Sequence, residues 1–208
     1  MSLRIELLEA FETLFAEIRD EVRARIRSLA FAVSGDWRHV FRLGDWKEKI
    51  ERLIRPVVEK FKISRRDKEA QIAKASEAAA TYEKNISRAV EQAAEKANTV
   101  EQLTAIVDDS VWLDRASGWS EDMYWSLDQN EQLAGVAAQP AKYTLKRWVT
   151  QDDERVRQSP RADHVMMHNV VVPIDHQFQL ITGLADFPGD PNLGVEDRAN
   201  CRCYLIYE

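Results

Sequence analysis

The residues best suited to chemistry lie in the last 45 positions of this 208-residue chain. Both cysteines, Cys201 and Cys203, stand there in a Cys-x-Cys pair, together with three of the four histidines, His164, His168 and His176. Sulfur and imidazole nitrogen are typical zinc ligands. A cysteine beside a histidine is also the arrangement of a nucleophile and its base. The third interpretation is structural, with thiols that pack inward as small hydrophobic groups.

The spacing of these residues favours the structural interpretation. A disulfide between positions i and i+2 would be strained, and zinc sites more often have two to four residues between their cysteines. In "HVMMH", His164 and His168 have the i, i+4 spacing that shares one helix face, but the Glu that zinc proteases use as base is missing. We therefore expect no cofactor and a His164 that hydrogen-bonds a loop carbonyl. Zinc bound by His164, His168, Cys201 and Cys203 stays open as the alternative.

Other sequence patterns of catalysis are missing. The chain contains neither GxxxxGK[ST] nor GxGxxG, and no pattern typical of an oxyanion hole accompanies the cysteines. Paired acids occur in "DDERVR" and "DPNLGVEDR", which we interpret as solvated or salt-bridged surface. We expect a protein that is not an enzyme.

The first third of the chain is predicted to be helical. Ten apolar residues recur at steps of three and four from Leu3 to Leu29, which indicates one amphipathic helix that ends near 34–36. A second amphipathic segment follows, with Asp45 as a candidate N-cap. Pro56 should kink or divide this second segment.

The middle of the chain is rich in Ala, Glu, Lys and Gln, which favour helix but supply little core. Its large apolar residues form a thin seam: Ile72, Ala75, Ala79, Tyr82, Ile86 and Val90. This seam could pack against another chain, or it could form a hairpin with the first helix. Further on, Trp112, Trp119 and Trp125 are expected to pack in the core.

From about residue 143 the pattern changes to short strands. "YTLKRWVTQ" and "NVVVPIDHQFQLI" are rich in strand-forming residues, and "DFPGDPNLG" is typical of turns. In a final strand, Cys201, Cys203, Leu205 and Tyr207 would share one face. We predict an α+β protein with a helical docking region over 1–110, a connecting helical segment over 111–142 and a small α+β module with antiparallel strands over 143–208.

Composition and charge limit the class of protein. The chain is 45% hydrophobic and 31% charged, as expected of a folded globular protein, and no run of roughly 20 apolar residues could span a membrane. The acidic N-terminus is unlike a secretory signal, so we expect synthesis in the cytosol. Through Lys68 there are 16 Lys and Arg against 12 Asp and Glu, and from Glu69 onward 13 against 23. The acidic C-terminal part disfavours nucleic-acid binding there.

The C-terminal third resembles the phage head morphogenesis family, the Mu F-like or SPP1-type minor head proteins. The resemblance is carried by a Lys-x-Trp strand, an Asp and Arg–Arg segment, a His, a Val-Pro-x-Asp…Phe strand, a Pro-Gly-Asp-Pro turn and a final Asn-Cys-Arg-Cys. The matching residues are Lys146, Trp148, Asp153, Arg155, Arg157, His164, Val172, Pro173, Asp175, Phe178, Pro188, Gly189, Asp190, Pro191, Asn200, Cys201, Arg202 and Cys203. Asn169 stands where the family often has Gly, and it tolerates the left-handed conformation better than other non-Gly residues.

The resemblance implies a structural protein of the virion, made in the host cytoplasm and located in the capsid interior or at the portal vertex. It implies roles in head assembly, DNA packaging or ejection. Its partners would be the portal protein and a scaffold or capsid protein, with transient contact with packaged DNA. Apart from the resemblance, the thin seam predicts self-association through the N-terminal helices, and the lack of a long apolar run predicts no membrane partner. Within the module, Asn200 is expected to cap a turn and Arg202 to pair with Asp153 or Asp175. The alternative is a metal-dependent hydrolase or toxin-type effector that uses the His/Cys cluster.

Overall fold

The chain folds as an α+β protein, as its sequence predicts. The computed structural model describes residues 2–29, 46–97, 99–111, 115–151 and 153–208. The helices are α1 (Leu3–Leu29), α2 (Trp46–Leu53), α3 (Arg55–Val58), α4 (Arg65–Ala94), α5 (Val100–Val111), α6 (Arg115–Ala137) and α7 (Val195–Arg198). The strands are β1 (Leu145–Val149), β2 (Gln158–Ser159), β3 (Ala162–Asp163), β4 (Val171–Pro173), β5 (Phe178–Gln179), β6 (Leu184–Ala185) and β7 (Tyr204–Tyr207).

The chain divides into two compact units. Unit 1 comprises residues up to Pro56 together with Ile72–Ser117, and unit 2 comprises Val57–Gln71 together with Gly118–Glu208. Most of α6 therefore belongs to the same unit as the strands, whereas the sequence suggested a separate connecting segment. In the part of the chain that the structure describes, no helix is both long and apolar enough to cross a membrane.

Unit 1 is built on the two long amphipathic stripes. Residues of the α1 stripe are buried, namely Leu7, Phe11, Leu14, Phe15, Ile18, Val22 and Ile26. All six residues of the α4 seam are at most 6% exposed. Tyr82 makes edge-to-face contacts with Phe15 of α1 at 5.6 Å and with Trp46 of α2 at 6.1 Å between ring centroids. Of the two alternatives for the seam, the structure shows packing within the chain.

Ion pairs join the helices of unit 1. Arg23 of α1 forms a two-pronged pair with Asp108 of α5, with the Nη2–Oδ2 distance at 2.7 Å. Glu21 accepts from Arg25 on its own helix and from Lys49 of α2. These charged groups lie at the edge of the apolar stripes, where they favour one arrangement of the helices more than they add stability.

Pro56 divides the second helical segment as predicted, because α2 ends at Leu53 and α3 begins at Arg55. The predicted break at 34–36 and the candidate N-cap Asp45 lie outside the described residues. Ser64 caps α4: its hydroxyl accepts from the Asp67 amide at 3.1 Å and donates to the Asp67 carboxylate at 2.7 Å.

Unit 2 has a three-stranded antiparallel sheet in the order β4-β1-β7. Its register pairs Trp148 with Leu205 and Lys146 with both Val172 and Tyr207. Two-stranded ribbons, β2-β3 and β5-β6, complete the module. The burial of β1 alternates over Leu145–Trp148 because one face of this antiparallel sheet packs against the core.

The core of unit 2 lies on one face of this sheet. It consists of Trp148, Met167, Phe178, Leu180, Ala185, Phe187, Leu193, Cys201, Cys203 and Leu205. The predicted alternation is confirmed by burial, since Cys201, Cys203 and Leu205 are buried while Asn200 and Ile206 are exposed. Trp119 and Trp125 are half-buried rather than in the core, and Trp112 lies outside the described residues.

Candidate functional site

His164, Cys201 and Cys203 meet inside unit 2. His164 directly follows β3, where its backbone N–H donates to the Arg157 carbonyl at 2.9 Å. Cys201 and Cys203 come just before β7, and both belong to the buried core that contains Leu205. The side chains of all three residues are buried.

The donor atoms of this cluster are close together. His164 Nδ1 lies 3.8 Å from the sulfur of Cys201 and 3.5 Å from the sulfur of Cys203. One ligand atom from each residue falls within 4.8 Å of the other two. The cluster is the single group of this kind among the residues that the structure describes.

A buried carboxylate lies behind the imidazole. Asp197 is 1% exposed, and its Oδ1 is 3.3 Å from His164 Nε2. Neither of these two atoms has an aligned hydrogen-bond partner, so the short distance is an electrostatic contact and not a formed hydrogen bond. The other oxygen, Oδ2, is held by the Thr182 amide at 2.8 Å and the Thr182 hydroxyl at 2.7 Å. Asp197 is thus oriented with one oxygen facing the ring.

The two thiols differ in acidity. A hydrogen bond from Cys201 lowers the pKa of the Cys203 thiol, and His164 adds to this effect. The same hydrogen bond, with burial, raises the pKa of Cys201. Of the two thiols, Cys203 is therefore the one whose thiolate is favoured, and the thiolate is the form in which cysteine binds metals or acts as a nucleophile.

Helix α6 supports the backbone that carries the thiols. Trp125 donates its indole N–H to the Cys203 carbonyl at 2.9 Å, and the Gln129 side chain accepts from the Leu205 amide at 3.3 Å. Asp122 accepts from the Asn200 amide at 2.6 Å. Burial raises the pKa of Asp122, and the Asn200 hydrogen bond opposes this. These contacts fix the entry into β7.

Two cavities adjoin the cluster. A small one of about 10 Å³ touches all three donor residues and has Arg155 and Arg157 in its wall. A larger cleft of about 480 Å³ lies next to it and is lined by Glu121, Asp122, Trp125, Arg155, Arg157, Asn200, Cys201 and Arg202. The small cavity can hold about one water molecule.

Several of the matching residues in the C-terminal third, here called the motif set, make contacts that hold the fold together. Lys146 is fully buried and donates to the Asp186 carbonyl at 2.9 Å, with its ammonium 5.4 Å from the centre of the Phe178 ring. Burial lowers the pKa of Lys146. Trp148 packs edge-to-face on Phe178 at 5.2 Å. These residues are packed in the interior of unit 2 and do not form a surface site.

The arginines of the motif set have different roles. Arg202 pairs with Asp153, as predicted, and not with Asp175, which contacts the neighbouring His176 at the surface. Arg157 donates to the carbonyls of Glu196 and Ala199 on either side of the α7 end. Arg155 is exposed on the wall of the cleft.

The sequence predicts a left-handed conformation at Asn169, and the structure has positive φ angles at two further turn residues, Gly189 and Asn200. Gly189 and Asn200 have positive φ angles of 81° and 53°. Asn169 has φ 66°, which confirms the left-handed conformation expected there. Asp190 organises the turn by accepting from the Asp186 and Asn192 amides, both at 2.8 Å. Pro173 ends β4.

Three sequence expectations about this region are wrong. The segment after His164 is a 3-10 turn, Val165–Met167, so His168 does not share a helix face with His164 and instead faces the Thr150 hydroxyl at 2.9 Å. The His164 ring contacts thiols and a carboxylate, not a loop carbonyl. Asp190 and Asp197, interpreted as surface acids, are each 1% exposed.

Sequence reasoning missed Asp197 and Thr182 as neighbours of the cluster. They lie 15 positions apart, and Asp197 is 33 positions from His164. Asp197 stands in "GVEDR", which has the composition of a solvated helix. Only the chain path between β5 and β7 brings these groups behind the imidazole.

Comparison with known proteins adds little about function. No family model matches the chain, and no solved structure matches it. The chain is similar to an uncharacterized protein, YqbB, of Bacillus subtilis (strain 168), with 32% identity over 71 residues. The match covers 33% of this chain and 22% of that protein, so the similarity spans about a fifth of the relative's length.

Proposed function

We propose that this chain is a minor head protein that acts structurally in phage head assembly, DNA packaging or ejection, in contact with the portal. The observation that carries the proposal is the ordered motif set of the C-terminal third, which resembles the head morphogenesis family. In the folded unit, Trp148 and Phe178 form the core, and Arg202 pairs with Asp153. Motif residues used for packing and internal pairing are what a structural module requires.

The helices of unit 1 supply the part that would dock on a portal or scaffold protein. Their apolar stripes are buried within the unit, so self-association through the N-terminal helices, which is also part of this proposal, would use the exposed faces of these helices. Docking would use exposed polar and charged surface, where complementary charge determines register and rate of association. Contact with packaged DNA is a further part of this proposal.

One observation favours the alternative of a metal-dependent hydrolase or toxin-type effector. The His/Cys cluster adjoins the 480 Å³ cleft, whose wall carries Arg155, Arg157 and the acids Glu121 and Asp122. A metal with an open coordination position can activate water. The small cavity at the donor atoms, with room for about one water, favours a structural role over access by a substrate.

The test is co-expression of the full chain with the portal protein encoded in the same genome, each with a different affinity tag. We expect the two to co-purify and to co-elute on size exclusion. A portal protein from an unrelated phage is the control. Mass spectrometry of purified heads should find the chain in substoichiometric amounts relative to capsid protein. Absence from heads together with no portal complex would refute the proposal, and hydrolysis abolished by His164→Ala would favour the alternative.

A further inference from the structure

We propose that His164 Nδ1, Cys201 Sγ and Cys203 Sγ bind one zinc ion and form a zinc centre. This centre would tie the loop after β3 to the start of β7. The inference depends on the geometry of unit 2 and not on the proposed role in a phage head. It goes against the expectation from Cys-x-Cys spacing alone.

The distances between the donors match those of a tetrahedral zinc site. With a Zn–S distance of about 2.3 Å and a Zn–N distance of about 2.1 Å, a nitrogen and a sulfur ligand lie roughly 3.6 Å apart. The two nitrogen–sulfur distances from His164 are 3.8 and 3.5 Å. All three donor atoms lie within 4.8 Å of one another, so they are close enough to share one ion.

The carboxylate behind the ring is also typical of a histidine that binds zinc. When Nδ1 binds a metal, Nε2 carries a proton and requires an acceptor, which in metal sites is commonly a carboxylate. Asp197 Oδ1 lies 3.3 Å from Nε2, and both atoms are buried without an aligned partner. A small rotation of the ring on binding the metal would complete this hydrogen bond. Thr182 fixes the carboxylate in place.

The three ligand atoms determine which metal the site prefers. Two thiolates and an imidazole favour zinc over magnesium or calcium, which prefer oxygen ligands. The fourth position would be filled by the one water molecule that the adjoining cavity of about 10 Å³ admits.

The first experiment measures metal in the full chain, purified without added metal and with a reductant that does not chelate. We expect close to one zinc per chain by elemental analysis. Cobalt added to the reduced, metal-free protein should give thiolate-to-metal charge-transfer absorption and the visible bands of tetrahedral cobalt. Zinc well below one equivalent together with no cobalt–thiolate band would overturn the proposal, whether or not any variant folds.

Variants then assign the ligands. Cys201→Ser, Cys203→Ser and His164→Ala should each lose stoichiometric zinc, whereas the matched controls His168→Ala and His176→Ala should keep it. Asp197→Asn should retain the cobalt–thiolate band but bind zinc about 10- to 100-fold more weakly, as for other changes to groups that hydrogen-bond a metal-binding histidine. Stoichiometric zinc retained in the folded ligand variants, or lost in the two control variants, would contradict this assignment.

Discussion

Arg202 and Asp153, 49 positions apart, form a two-pronged salt bridge in unit 2, with Arg202 Nη2 lying 2.5 and 2.8 Å from the two carboxylate oxygens. Their side chains are 41% and 42% exposed. The pair connects the loop after β1 to the residue between the two cysteines. Because both groups are hydrated, the bridge orients this segment more than it stabilises it.

The salt bridge predicts a dependence of stability on pH. The hydrogen bond from Arg202 lowers the pKa of Asp153. A carboxyl group with a lowered folded-state pKa stabilises the fold above its unfolded pKa, roughly 3.9, and this contribution is lost as pH falls through the folded value. We expect thermal unfolding midpoints of the wild type to drop more steeply below about pH 4 than those of Asp153→Asn. If the unfolding midpoints of the two proteins fell in parallel as the pH was lowered, the salt bridge would not account for stability in acid.

Arg157 should contribute more than Arg202 to the free energy of unfolding. Its guanidinium donates to the carbonyls of Glu196 and Ala199, which position the backbone between Asp197 and Cys201. Arg157→Gln should lower the free energy of unfolding by about 1.5–3 kcal/mol, as for a hydrogen bond to a charged group. Arg202→Gln is the matched control with the smaller expected loss. Urea denaturation of both variants measures which one loses more stability. Equal losses would contradict a special contribution of the Arg157 contacts to the backbone carbonyls.

The buried Lys146 gives a third prediction. Its ammonium donates to the Asp186 carbonyl at 2.9 Å, and the side chain is fully buried. Lys146→Met keeps most of the volume but leaves that carbonyl without its donor, at a cost of about 1–3 kcal/mol. Lys146→Ala should cost more, because a cavity is added. Chemical denaturation separates the two, and an alanine variant as stable as the methionine variant would contradict the packing role.

A fourth prediction concerns Asn169, which has a left-handed backbone conformation. Its φ of 66° is strained for a residue with a Cβ, and its amide donates to the Trp148 carbonyl at 2.8 Å. We expect Asn169→Ala to lower stability by about 1 kcal/mol and Asn169→Gly to leave it nearly unchanged. Thermal unfolding of the pair provides the measurement. Destabilisation by glycine equal to that by alanine would point to a role of the Asn side chain instead.

A fifth prediction concerns the apolar seam on α4. Tyr82 is 2% exposed between Phe15 and Trp46. Tyr82→Ala should cost about 3–5 kcal/mol, as for other large aromatic core truncations. Lys84→Ala, at an exposed position of the same helix, is the control and should be nearly neutral. Because the contacts lie within one chain, the loss should not depend on protein concentration, and a strong concentration dependence would revive the intermolecular alternative.

What the sequence determined by itself is the local structure. Apolar residues at steps of three and four predict α1 and α4, and alternation predicts the buried face of Cys201, Cys203 and Leu205. These patterns reflect backbone geometry, which acts over a few residues. The left-handed Asn169 is likewise a local preference.

Only the tertiary structure decided which distant groups meet. Arg202 had two acidic candidates, and the path of the loop after β1 brought Asp153 to it. A 3-10 turn after His164, in place of a helix, separated His168 from the cluster. The fold also buried Asp197 behind the His164 ring, although its sequence context is that of a surface acid. Such contacts depend on how elements far apart in sequence pack together, and the sequence periodicity of a single element does not contain that information.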